Sequence, residues 1–479
     1  MSTIIGRKKE IEELERLYYS DRPEFVAVYG RRRIGKTFLI KQALKDKFTF
    51  QHTGVSPVDQ EDEKNRLKTQ LESFYYSLLN HGLEGYKQPK TWMEAFFLLT
   101  QLLQKLDNGQ RMVIFIDELP WMDTPRSHFL SAFESFWNGW CSGRDNIMLI
   151  VCGSATSWML SHLSRSKGGL YGRVTDEIKL LPFTLKECEE YFEHENIELS
   201  RYDIVQSYMV FGGIPYYLSY FCKGYSFEKN TDMILFGDKP RLKDEFNRLF
   251  RAIFNNAEDC KKVIRFLVSR NYGFTREEIA LATGLPLGGG LSNTLTALAE
   301  SDFIMRYRPY GKGTGEYYKV TDNFCLFWLK YVEPNQQDAT FINDNFTSDI
   351  MKSWRGVAFE QVCWKHILQI KRALEIGGVR TSISAWNIAG SETKTGAQVD
   401  MLIIRDDNIV NLCEMKFYSS IYSIDKGEEA KMLNRVEKLK ETLSPKHRVH
   451  LTLITTYGLA IGKHSGKVQR IITCDDLFS

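Results

Sequence analysis

The sequence lacks several things that would have assigned it at once. No apolar stretch approaches the roughly eighteen residues that a membrane span needs; the longer ones, such as Met112–Ile116 and Ile147–Cys152, are short. No charge sign dominates, with 63 basic residues against 60 acidic in 479. The nine cysteines are odd in number and scattered, and no pair has CxxC spacing. That excludes a disulfide framework or a paired-cysteine motif and reads as reduced thiols. His447 and His450 are the only close histidine pair, and nothing completes a zinc set around them. There is no internal repeat and no low-complexity tract. The opening Met-Ser-Thr-Ile-Ile-Gly-Arg-Lys-Lys turns charged too early for a secretory signal. A membrane protein, a secreted scaffold, a fibrous rod and a disordered chain are thereby set aside. The expectation is a soluble, cytoplasmic protein of about three domains.

What is present is a strong alternation of short apolar runs and amphipathic segments. Glu24–Tyr29 reads as a strand ending at Gly30, and residues 37–45 read as a helix. Residues 60–107 are mostly helical, with a break near Gly82–Lys90. The runs Arg111–Ile116 and Ile147–Cys152 are strands, with a helix over 131–140 between them. This predicts a parallel α/β sheet. From Leu185 to Phe254 the segments are helical, interrupted at Gly212-Gly213-Ile214-Pro215. From Cys260 to Lys330 three helices precede two short strands around Gly311–Gly315, which is the pattern of a winged helix-turn-helix. Glu333–Asp349 is polar and reads as a linker, and the block from Met351 is again α/β.

The segment Gly30-Arg31-Arg32-Arg33-Ile34-Gly35-Lys36-Thr37 matches GxxxxGK[ST] between a strand and a helix. Gly30 and Gly35 let backbone N–H groups close on phosphate oxygens. Lys36 supplies a point charge, and the Thr37 hydroxyl is placed for Mg²⁺. Downstream, Val113-Ile114-Phe115-Ile116 delivers Asp117 and Glu118 at a strand end. Asp117 is expected to hold Mg²⁺, and Glu118 to deprotonate an attacking water. Ser154 ends the next apolar strand and is expected to lie between those two motifs and sense the γ-phosphate. Arg173 is a candidate for stabilising transition-state charge, with Arg165 and Lys167 as competitors.

With Ile5-Gly6-Arg7-Lys8-Lys9-Glu10 as an opening box, these elements and Gly212–Pro215 resemble AAA+-related ATPases of the STAND type. The whole chain resembles the archaeal-type ATPase family, also common in bacteria. That resemblance implies ATP as the nucleotide and a nucleotide-reading Gly213-Ile214-Pro215 at a helical subdomain. Relatives work as rings or as monomers that assemble on activation, so an oligomer stays open.

In the C-terminal block, Gln398–Ile404 and Asn411–Lys416 are two apolar strands joined at Asp406-Asp407-Asn408. Asp400 begins the first. Glu414 and Lys416 alternate on the second and so share a face. Asp400 and Glu414 could share a hard metal ion, with Lys416 positioning water and Glu360 adding a carboxylate from the helix over 357–370. This resembles the PD-(D/E)xK nuclease fold, with Val399 in place of the usual proline. The expected fold class is therefore α/β: a P-loop NTPase parallel sheet with a helical subdomain, a winged helix-turn-helix and a C-terminal restriction-endonuclease-like domain. The expected boundaries are 1–184, 185–256, 257–332, a linker 333–350, and 351–479.

Residues 1–240 hold 30 basic and 32 acidic residues, so the small positive excess lies in the second half. This suits DNA as a partner and equally suits a solvated surface. Arg306, Arg308, Lys312 and Lys319 could reach phosphates from the wing. The third helix, over 291–301, has no arginine or lysine and is preceded by a glycine-rich, flexible approach. A protein partner on the winged helix therefore stays as open as DNA. The reading is an ATPase coupled to a metal-dependent DNA nuclease. Its alternative is a regulatory ATPase switch whose C-terminal domain binds nucleic acid or protein without cutting.

Overall fold

The computed structural model describes residues 3–57, 65–165, 168–311, 315–388 and 397–479. The chain forms two compact units. One comprises Met1–Pro182, Asp244–Cys260 and Thr296–Asp302; the other comprises Phe183–Lys243, Lys261–Leu295 and Phe303–Ser479. Among the described residues, no helix is long and apolar enough to cross a membrane. All nine cysteines are free, and only Cys222 is not fully buried.

The first unit is built on β1 (Glu24–Tyr29), β2 (Phe48–Thr53), β3 (Met112–Asp117), β4 (Ile147–Gly153) and β5 (Asp176–Lys179). Their order is β2-β3-β4-β1-β5, and every pairing is parallel. Every residue of β1, β3 and β4 is buried. A parallel sheet covered on both faces requires this, and it explains why these strands read as unbroken apolar runs. The helix Trp92–Leu106 starts at Thr91, whose hydroxyl accepts from Glu94 N. Its buried residues, Trp92, Ala95, Phe96, Leu98, Leu99, Leu102 and Leu103, recur at helical spacing. They stack with the helix Phe129–Gly139, where Phe96 lies 5.7 Å from the Phe133 ring, and Phe133 in turn meets Phe25 of β1. Because β4 lies between β1 and β3, Gly30, Glu118 and Ser154 emerge at one edge of the sheet.

Of the segment 185–256 expected as one helical subdomain, the helix Glu245–Ile253 folds with this first unit. The helices Leu185–His194, Arg201–Phe211 and Phe227–Leu235 fold with the second. Thr184 and Glu187 form a reciprocal capping box at the first of these.

Further along the chain come the helices Ala257–Leu267, Arg276–Thr283 and Gly289–Glu300. With them come the strands β6 (Phe274–Thr275), β7 (Ile304–Tyr307) and β8 (Tyr317–Val320), in antiparallel order β6-β8-β7. The glycine-rich approach expected to be flexible is in part helical, because Gly289 and Gly290 form the first turn of the third helix. The expected linker 333–350 is also partly structured. It contains the helix Phe341–Asn345, with Phe341 and Ile342 buried. The Asp232 carboxylate holds that helix by accepting from Ile342 N at 2.8 Å and Asn343 N at 3.1 Å.

The C-terminal sheet comprises β9 (Thr381–Ile388), β10 (Ala397–Arg405), β11 (Ile409–Lys416), β12 (Arg448–Thr455) and β13 (Arg470–Thr473), in order β13-β12-β11-β10-β9. The first three form an antiparallel meander. The helix Lys426–Thr442 then returns the chain to β12, which runs parallel to β11. Met432 and Leu439 of that helix close a core with Leu412, Leu453 and Trp386. The helix expected over 357–370 is two helices, Asp349–Lys365 and Ile367–Ala373, divided at His366. The buried His366 imidazole accepts from Leu185 N through Nε2 at 2.9 Å, with Nδ1 2.8 Å from the Val362 carbonyl oxygen. Those contacts fix the neutral ring with its proton on Nδ1, and burial lowers its pKa to about 4.

Candidate active site

At the end of β1 the backbone turns through Gly30, whose φ of 144° favours glycine. A Cβ there would meet the Leu180 carbonyl oxygen at 2.2 Å. Arg33 (φ 75°) and Gly35 (φ 90°) also adopt left-handed conformations, so the loop curls back before Lys36 opens the helix Lys36–Ala43. Lys36 is buried, and its Nζ donates to the carbonyls of Gly30 and Arg31, each at 3.0 Å. Thr37 Oγ1 donates to Asp117 Oδ2 at 2.7 Å, so β3 brings the second motif onto the first. Glu118 adopts φ 47°. Its carboxylate accepts from Ser154 N at 3.1 Å and from Ser154 Oγ at 2.5 Å. Ser154 directly follows β4, which lies between the strands that carry the two motifs, and its side-chain contact is with Glu118.

A second charged cluster lies at the end of β11. Glu414 and Lys416 share the face covered by the helix Lys426–Thr442. Glu414 is 8% exposed and its Oε1 is 2.9 Å from Arg435 Nη1. Lys416 Nζ is 3.4 Å from Glu428 Oε2. Asp400 lies on β10, with its side chain outside the described residues. Register pairs Met401 with Cys413, which sets Asp400 and Glu414 one residue beyond that pair on neighbouring strands. Glu360 is half-buried on Asp349–Lys365, whose Phe359 ring packs 5.2 Å from Phe417. Among the described residues, no group of three or more His, Cys, Asp or Glu side chains is assembled for a metal.

Residues 4–221 match the model of an ATPase domain family described as predominantly from Archaea. Residues 4–221 are an archaeal-type ATPase domain, and the protein is an ATPase. An uncharacterized protein of Methanocaldococcus jannaschii is 26% identical over 411 residues, covering 84% of this chain and 85% of that one. An uncharacterized ATP-binding protein of the same organism is 46% identical over 43 residues, 9% of this chain and 73% of that one. Among solved structures, the Walker-type ATPase of Pyrococcus abyssi superimposes with a TM-score of 0.45 at 17% identity. That superposition covers 68% of this chain and 96% of that one.

Within the ATPase domain, Arg173 is exposed in the turn before β5. Its side chain makes no hydrogen bond or ion pair among the described residues. Arg165 pairs with Glu300, and Lys167 lies outside the described residues. Gly212 and Gly213 cap the helix Arg201–Phe211 with φ of 69° and 68°. A Cβ on Gly213 would meet the Phe183 carbonyl oxygen at 2.4 Å. Sequence reasoning missed the partners of the phosphate loop. Arg33 donates to both carboxylate oxygens of Glu245, at 3.1 and 3.2 Å, and Arg32 lies over the Trp121 ring at 5.5 Å. Nothing in the sequence signals a pairing across 212 residues. Arg435 and Glu428 were missed too, although their spacing of seven residues puts them on one face of the helix that follows β11.

Proposed function

We propose that ATP binding and hydrolysis in the ATPase domain drive a DNA-cleaving, metal-dependent C-terminal domain through a winged helix, in the cytoplasm. One observation carries the nuclease half. A helix, a three-stranded meander, a helix and a parallel strand follow in order. Asp400 and Glu414 then lie on neighbouring strands, each one residue beyond the Met401–Cys413 pair, with Lys416 on the same face as Glu414.

In the first site, backbone N–H groups of Gly30–Gly35 and the Lys36 ammonium receive the phosphates. The hydroxyl of Thr37 and the carboxylate of Asp117 are hard oxygen donors already in contact, so they fit Mg²⁺, which when bound neutralises phosphate charge. Glu118 takes a proton from the attacking water, and Ser154 aims its carboxylate. Arg173, exposed in its turn, suits a role on the site of a neighbouring copy in an oligomer. In the second site the donors are again carboxylate oxygens, Asp400 and Glu414 with Glu360 in support, and this chemistry suits Mg²⁺. Arg435 now supplies the positive charge at Glu414.

The helices and strands over 257–320 support the winged-helix reading. In this reading the wing relays motion. Tyr310 N donates to the Ala385 carbonyl and Ser384 Oγ to the Arg308 carbonyl, both at 2.9 Å, so the wing is tied to β9. The second reading, a regulatory switch that binds nucleic acid or protein without cutting, is favoured by the engagement of the wing's cations within the chain. Arg306 and Arg308 pair with Glu316, and Lys319 lies over the Trp364 ring. Lys312 lies outside the described residues. The test is cleavage of plasmid and single-stranded DNA with Mg²⁺ or Mn²⁺, with and without ATP. Wild type should cut, Glu414→Ala should not, and Glu118→Gln should cut without response to ATP. Equal cleavage by wild type and Glu414→Ala, or none by wild type, moves the conclusion to the second reading.

A further inference from the structure

The first unit holds a cavity of about 800 Å³. Its walls come from the segments that follow β3 and β4, from the start of the helix Arg66–Asn80, and from the end of the helix Glu245–Ile253. Among the described residues, none of Gly30–Thr37 lines it. Among the described residues, Arg66, Arg126 and Arg251 line it, with Asp123 as the one carboxylate. Asp123 accepts from Trp158 Nε1 at 3.0 Å, and burial raises its pKa. Several other arginines of this unit are matched by carboxylates: Arg16 by Glu13, Arg33 by Glu245 and Arg165 by Glu300. Arg126 and Arg251 have no carboxylate partner among the described residues, and both line this cavity. Two indoles, Trp121 and Trp158, complete the lining. Both are fixed: Trp121 Nε1 donates to the Ala252 carbonyl at 3.1 Å, and the Trp158 ring stacks on His162 at 4.8 Å.

We propose that this cavity is a second ligand site, separate from the phosphate loop, for a nucleoside monophosphate. Its phosphate would be held by Arg126 and Arg251 and its base placed against the indoles. Guanidinium forks match phosphate oxygens, and indole faces hold bases whatever their identity. The volume is that of a small-molecule site, in the range of about 300–1,000 Å³. The consequence is regulatory, because the walls adjoin the hydrolytic residues. Pro120 and Trp121 follow Glu118 within three residues, and Ala155 is next to Ser154. A ligand against those walls changes the placement of the Glu118–Ser154 pair, and with it the rate of ATP hydrolysis, without competing for the loop.

The experiment is calorimetric titration of AMP into full-length Lys36→Ala protein, in which binding at the phosphate loop is removed. One saturable site is expected, weakened at least about tenfold when Arg126→Ala and Arg251→Ala are added, as loss of charge-assisted bonds requires. Both arginines are exposed, and circular dichroism checks that the variants fold. In otherwise wild-type protein, AMP should alter kcat for ATP hydrolysis, and Arg126→Ala with Arg251→Ala should abolish that response. No saturable binding at millimolar AMP overturns the proposal, as does binding undiminished in the arginine variants. Inorganic phosphate binding as tightly as AMP removes the role given to the indoles and overturns the assignment to a nucleotide. An AMP effect confined to KM for ATP would place AMP on the phosphate loop.

Discussion

At the phosphate loop, the carboxylates of Asp117 and Glu118 are bonded to hydroxyls, those of Thr37 and Ser154. In the C-terminal cluster, the Glu414 carboxylate is ion-paired with the Arg435 guanidinium, and Lys416 with the Glu428 carboxylate. Hydroxyl partners orient a carboxylate and leave its charge in place for a cation. An ion pair orients it and cancels the charge. In the proposed reading, the first site therefore keeps its carboxylate charge available to the counter-ion of a phosphate. The second must exchange Arg435 for any metal that arrives. Arg435 is one-quarter exposed, so its guanidinium can move to water when displaced.

The largest expected effect tests whether the two sites are chemically distinct. Glu118→Gln should lower kcat for ATP hydrolysis by about 10²–10⁴, the range for a lost general base, with ATP binding retained. Glu414→Ala should leave ATP hydrolysis unchanged in the same phosphate-release assay. A comparable fall in both variants would merge the two sites.

The next effect compares the units by their buried imidazoles. His366 in the second unit is lowered to about 4, and His52 in the first to about 3, both by burial. Each is neutral when folded, while the unfolded ring protonates near 6.5. Stability is therefore full above pH 6.5 and falls as the pH drops toward 4. For His366 the loss reaches about 3 kcal/mol at pH 4, at roughly 1.4 kcal/mol per pH unit. Chemical denaturation across that window should show the slope, and His366→Gln should flatten the part that belongs to the second unit.

Smaller still is the cost of breaking the Glu414 pair. Arg435→Ala removes the guanidinium paired with a carboxylate only 8% exposed and should destabilise the protein by about 1–3 kcal/mol. If Arg435 stands where a metal binds, Mn²⁺ should raise the melting temperature of Arg435→Ala more than that of wild type. No such difference with either Mn²⁺ or Mg²⁺ would make the pair purely structural. The smallest effect belongs to Ser154→Ala. With Glu118 less well aimed, kcat should fall about tenfold with KM for ATP preserved, close to the value of one hydrogen bond to a charged group.

Much of the phosphate-loop site could be read in the chain because its signals are local. A glycine loop must follow a strand and open a helix, and Asp117-Glu118 must end an apolar run, so residue type and neighbours suffice. The parallel sheet was legible for a related reason: β1, β3 and β4 are buried on both faces and carry no polar alternation. What could not be read depends on contacts distant in sequence. Glu245 meets Arg33 across 212 residues, and Ser154 takes hold of Glu118 rather than standing free toward a phosphate. The polar stretch 333–350 looked like a linker because composition does not reveal that Asp232 accepts the N–H groups of Ile342 and Asn343. At the C-terminal cluster, strand alternation put Glu414 and Lys416 on one face, but their neutralising partners come from a helix that follows the motif.

The most direct test of metal dependence in the C-terminal domain is a calorimetric titration of Mn²⁺ into full-length Lys36→Ala protein beside the Lys36→Ala/Glu414→Ala variant. The account predicts a single saturable site in the first and its loss in the second. Absence of heat in the first, or equal heat in both, contradicts it.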